Sequence, residues 1–182
     1  MILSDRDILR EIERGNIRIE PFDRKRVGPC SVDLTLDDIF MVFERGSVID
    51  PLNLSEIPIR KVRTDGGKFR IMPGQFVLAS TAEKIAISRE IAATLEGLSS
   101  LARLGIIVHA AGLVNPGTGL ISPSKLVLEI SNRGSSDVLL TPGMRIVQII
   151  FHRLTSPAEI GYDERKSSKY VGQEEPIVKK VE

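Results

Sequence analysis

The chain has 182 residues, 42% hydrophobic and 27% charged, with 25 basic against 24 acidic side chains. That length fits one domain over residues 1–182 with a self-sufficient core, and the charge balance leaves no electrostatic footprint for nucleic acid, so nucleic acid is not the expected partner. The start, MILSDRDILREIERG, is charged within a few residues, and no run approaches the roughly 18 apolar residues of a membrane span, so a cytoplasmic chain without a membrane partner is expected.

Ser4 followed by Asp7 makes a capping-box-like start, Ile8, Leu9 and Ile12 share one helical face, and Gly15 supplies a stop, which predicts one short amphipathic helix at the N-terminus. After it the period changes. SVDLTLDDIFMVF, KFRIMPGQFVLAST, KLVLEISN, SDVLLT and MRIVQIIFHRL are short apolar or alternating runs rich in Val, Ile and Phe, which read as strands. The turn formers between them, Asp65-Gly66-Gly67, Pro73-Gly74, Asn115-Pro116-Gly117, Arg133-Gly134 and Pro142-Gly143, leave little room for long helices. The expected class is therefore mainly β, an antiparallel sandwich or barrel. Two segments break the rhythm: SREIAATLEGL with SSLARLG has room for a short helical turn, and GYDERKSSKYVGQEEPIVKKVE is too polar for core.

In KLVLEISN the period of two puts Leu126, Leu128 and Ile130 on one face and Val127, Glu129 and Ser131 on the other. Glu129 is then either a solvent-facing glutamate on an edge strand or a carboxyl in a partly dry cleft, where desolvation favours proton exchange near neutrality. Arg103 has two readings as well. It is a surface charge, or it joins Ser99, Ser100 and backbone amides in an anion cradle. The only cysteine, Cys30, excludes an intrachain disulfide and reads as a small buried hydrophobe, while His109, on an apolar stretch, reads as a core residue. With only His152 added to these two, no spacing resembles a zinc site.

The order MILSDRDI, SVDLTL, PGQFVLAST, SSLARLG, LVLEISN, LTPGMRIVQIIF and SKYVGQ resembles the dCTP deaminase family, the branch of the dUTPase superfamily that includes bifunctional dCTP deaminase/dUTPases. The resemblance covers nearly the whole chain. It implies a distorted jelly-roll-like β-barrel of the dUTPase type, assembled as a homotrimer with active sites between subunits, and a C-terminal segment, here 156–182, that closes over the nucleotide. By the same resemblance Glu129 is the catalytic proton shuttle, acting while water attacks C4 of cytosine and ammonia leaves. Ser99, Ser100 and Arg103 would hold phosphate oxygens and help to organise that water. Val127, Gln148, Tyr162, Lys169 and Gln173 match nucleotide-contacting positions, and Asn115 one that meets the deoxyribose hydroxyl. Magnesium would enter on the substrate triphosphate, with no protein-bound zinc, and the His-x-Glu and Pro-Cys-x-x-Cys pattern of the zinc deaminases is not in the sequence. The implied ligands are dCTP, dUTP, and dTTP as an inhibitor.

Departures from the family pattern bear on the reaction. Leu98 stands where Arg or Lys usually precedes the double serine, Thr118 where an aromatic often sits, and Val114-Asn115 replaces an Ile-Asp pair. The HAAGLVNPG loop is one residue short and GTGLISPSK several residues long. An amide at Asn115 cannot serve as the general base that dUTP hydrolysis uses there. Three readings stay open: a dCTP deaminase, a bifunctional deaminase/dUTPase, and a non-catalytic nucleotide-binding relative.

Overall fold

The computed structural model describes residues 1–54, 57–108 and 111–180, so His109 lies outside the described residues. Helix α1, Asp5–Glu13, begins at the expected cap: the Ser4 hydroxyl accepts from the Asp7 N–H at 3.4 Å. Gly15, at φ 76°, takes the left-handed conformation that ends the helix. Ile8 is buried and Leu9 and Ile12 are half-buried, so the expected apolar face is the one that docks.

A carboxylate shares that face. Glu11 is 2% exposed and accepts from Arg14 at 3.0 Å, from Asn16 at 2.7 Å and from Arg153 at 2.7 Å. Burial pushes its carboxyl up, but the bonds from Asn16, Arg153 and Arg14 outweigh burial and hold it below its ordinary value of 4.5. A carboxylate depressed in the folded state contributes stability that is present above the unfolded pKa and is lost as pH falls through the folded one. Glu11→Gln should therefore cost about 1–3 kcal/mol near neutrality, and the gap to wild type should shrink as pH drops below 4.5. Urea unfolding at both pH values checks this. A pH-independent difference would mean that packing, not charge, is what Glu11 contributes.

Among the described residues the strands are β1 (Ile17–Glu20), β2 (Val32–Thr35), β3 (Ile39–Phe43), β4 (Ile59–Arg63), β5 (Phe69–Ile71), β6 (Phe76–Ile87), β7 (Ile91–Gly97), β8 (Ile106–Val108), β9 (Leu113–Val114), β10 (Ser124–Asn132), β11 (Val138–Leu140) and β12 (Arg145–Arg153). They pair antiparallel in three sheets, ordered β4-β3-β6-β10-β8 with β1 also on β6, β2-β12-β7-β9, and β11-β5. The mainly β class and the short N-terminal helix are as expected, and no single closed barrel forms among the described strands. The buried faces of the two larger sheets meet in one core that includes Leu34, Val77, Ile85, Leu128, Ile149 and Phe151. Strand β12 carries a bulge between Arg145 and Val147, which lets both Ile146 and Val147 face inward and leaves Gln148, Ile150 and His152 on the outer face.

Three expectations change in detail. Cys30 is exposed rather than buried. SVDLTLDDIFMVF is two strands, because the chain turns at Asp37-Asp38 and β2 and β3 join different sheets. The helical turn is confined to α2 (Ser99–Ala102), whereas IAATLEG is β7. Its alternate residues Ile91, Ala93 and Leu95 are buried, a period of two that Ala and Glu obscure in the sequence. No helix among the described residues is long and apolar enough to cross a membrane.

Candidate active site

Strand β10 lies between β6 and β8, so Glu129 is not on an edge strand. Leu126, Leu128 and Ile130 are buried on one face, and Val127, Glu129 and Ser131 are half-buried on the other, which reproduces the expected alternation. On that second face a cavity of about 480 Å³ opens. Glu129 lies opposite Leu78 of β6, beside Phe76 and Phe43, whose rings are 5.7 Å apart. Its Oε2 is buried and has no hydrogen-bond partner among the described residues. A carboxylate oxygen held dry and unpaired costs free energy, so it invites a ligand.

The polar part of the cavity wall comes from sequence-distant segments. Asn115 and Thr118 follow β9, Ser124 and Lys125 lie on β10 with apolar Val127 beside them, and Tyr162 and Gln173 belong to the C-terminal segment. A bulge between Lys125 and Val127 interrupts the β10–β6 ladder, and the Thr81 hydroxyl accepts from the freed Leu126 N–H at 3.0 Å. Lys125 Nζ pairs with Asp37 at 2.5 Å, both side chains being mostly buried.

The C-terminal segment lies over this cavity, with Tyr170, Ile177 and Val178 among its lining. It is tied to the start of β10: the Lys125 N–H donates to the Gln173 carbonyl at 2.8 Å and the Gln173 N–H donates to the Ser124 hydroxyl at 3.2 Å. Lys84–Glu174, at 2.6 Å, and Lys61–Glu175 add ion pairs. Those pairs are exposed and contribute little by themselves.

The remaining sequence candidates lie elsewhere. Ser99 and Ser100 open α2 and Arg103 caps it; all three are exposed and none lines the cavity. Among the described residues Arg103 has no partner for its guanidinium. The turn that carries them is held firmly. Gly105 has φ 83°, a Cβ there would meet the Gly134 nitrogen at 2.4 Å, and its carbonyl accepts from the Arg133 N–H at 2.7 Å. Leu98 packs against the hydrophobic core. Gln148 accepts from the Ser31 hydroxyl at 3.1 Å on the outer face of β12, and the Lys169 ammonium donates to the Lys180 carbonyl at 2.8 Å, both away from the cavity.

So one chain brings together Glu129, Val127, Asn115, Tyr162 and Gln173, but not the serines, Arg103, Gln148 or Lys169. Sequence reasoning missed Lys125, Phe43, Phe76, Thr118 and Tyr170 as lining. Only Lys125 had a signal, its place two residues before Val127 on the same strand face.

A family model described as dCTP deaminase-like matches residues 2–154. Over its full length the chain is 43% identical to the dCTP deaminase of Haloarcula marismortui, covering 95% of that protein. It is 44% identical to the dUMP-forming dCTP deaminase of Streptomyces coelicolor, over 97% of this chain and 93% of that one. The crystal structure of the 2′-deoxycytidine 5′-triphosphate deaminase from Agrobacterium tumefaciens shares the fold, with a TM-score of 0.63 and 23% identity over 84% of this chain, which spans 48% of that longer one.

Proposed function

The chain belongs to the dCTP deaminase-like family, and from that premise we propose that it hydrolyses dCTP to dUTP and ammonia, with Glu129 as the proton shuttle. The observation that carries this reading is the buried Oε2 of Glu129, unpartnered among the described residues, in a largely apolar cavity. Water adds to C4 of the cytosine ring, and the carboxylate takes the proton that water sheds. The same group passes that proton to ring N3, then takes the proton of the new C4 hydroxyl and hands it to the amine, so that the C4–N bond breaks, C4=O forms and ammonia leaves. Val127 and Gln173 stand at the cavity wall to hold the base, and Asn115 and Tyr162 to hold the deoxyribose. Magnesium travels as part of the substrate, on the triphosphate oxygens.

Ser99, Ser100 and Arg103 lie outside this cavity in their own chain, so the phosphate contacts are assigned to a second copy. Exposed Leu104 and Ile107 beside them, 60% and 45% accessible, suit a surface that becomes covered on assembly. The protein should therefore run as a homotrimer by light scattering. A stable and active monomer would contradict the shared site.

A second reading is favoured by the relative that forms dUMP. Asn115 weighs against it, because an amide cannot deprotonate the water that attacks the α-phosphorus. Incubation with dCTP or dUTP and magnesium, followed by separation of ammonia, dUTP, dUMP and pyrophosphate, decides. Ammonia with dUTP supports the deaminase, dUMP with pyrophosphate supports the bifunctional enzyme, and no product from either nucleotide leaves a binding protein.

A further inference from the structure

We propose that Asp163 is a positioning residue that clasps the loop after β9 to the C-terminal segment, so that two walls of the nucleotide cavity close as one unit. This rests on the deaminase reading for its substrate, and on the geometry alone for the clasp. Asp163 is 8% exposed and does not line the cavity. Its Oδ1 accepts from the Gly119 N–H at 3.2 Å and its Oδ2 from the Ile121 N–H at 3.0 Å. Each is a charge-assisted bond, stronger than its neutral counterpart.

The two segments also touch through their backbones. The Tyr162 N–H donates to the Pro116 carbonyl at 2.8 Å, and a Cβ on Gly117, at φ 81°, would sit 2.4 Å from the Gly161 Cα. Further along, a Cβ on Gly172 would come within 3.1 Å of the Ser122 hydroxyl. The loop carries Asn115 and Thr118 into the cavity, and the tail carries Tyr162, Tyr170 and Gln173. Asp163 is the buried charge between them.

The test reads both segments in the full chain. Hydrogen exchange without nucleotide should show Asp163→Ala loosening residues 117–121 and 161–173 together, by roughly tenfold, while β6 and β12 keep their protection. With dCTP, KM should rise by about tenfold and kcat change by less than about twofold, since the bonds lost position the walls rather than the reacting atoms. Asp163→Asn keeps one acceptor oxygen and should fall between. Gly117→Ala, which forces the backbones apart, should give the same pattern if the contact between segments is what matters. Loosening of one segment without the other, or a fall in kcat at unchanged KM, would overturn the clasp. If the wild type fails to turn over dCTP, the deaminase reading fails, and joint loosening in the exchange data still decides for or against the clasp.

Discussion

Glu129→Gln should lower kcat for dCTP deamination by on the order of 10²–10⁴ while leaving dCTP affinity within about tenfold of wild type. Glutamine keeps the size of the side chain and one acceptor oxygen, but it cannot take a proton from water and return it to the ring. Stability gives an independent readout. Because Oε2 is buried without a partner among the described residues, the wild-type carboxylate already carries an uncompensated desolvation cost, and the amide should leave Tm equal or slightly higher. Ammonia release, calorimetric titration with dCTP and a thermal scan measure the three quantities. Near-normal turnover would remove Glu129 from the mechanism, and a large loss of affinity with kcat unchanged would make it a binding group only.

Legibility in the sequence followed the range of the interaction. The KLVLEISN alternation translated directly into a buried and a cavity face, because strand periodicity is a property of consecutive residues. The α1 cap and Gly15 stop were local in the same way. The Asp163 clasp joins positions more than forty residues apart, and the Glu11–Arg153 pair joins the first helix to the last strand, so no spacing rule reaches either. Both Glu11 and Asp163 read as ordinary surface acids until the partners that bury them are known. The split of the site had a different cause. Motif order placed SSLAR and Glu129 in one functional set, but which of them share a cavity within one chain depends on sheet order, which no motif states.

Arg103 should carry an unusually large share of the triphosphate charge. The position before the double serine is Leu98, packed against the core, where the family resemblance would place a cation. Arg103 itself is exposed at the end of α2, with no carboxylate claiming it among the described residues, and Gly105 fixes the turn that presents it. In the assembled protein Arg103→Ala should weaken dCTP binding by about 2–5 kcal/mol, the cost of leaving a charged contact without its partner. Arg103→Lys should recover part of this, because an ammonium keeps the charge and loses the planar fork that grips two oxygens. Calorimetric titration of dCTP and of deoxycytidine, with magnesium present, separates phosphate recognition from any general damage. Binding through the phosphates requires both variants to lose far more affinity for dCTP than for the nucleoside, with the oligomeric state unchanged from wild type by light scattering. Equal losses for both ligands, or none, would make Arg103 a surface or structural residue and return the phosphate site to other groups.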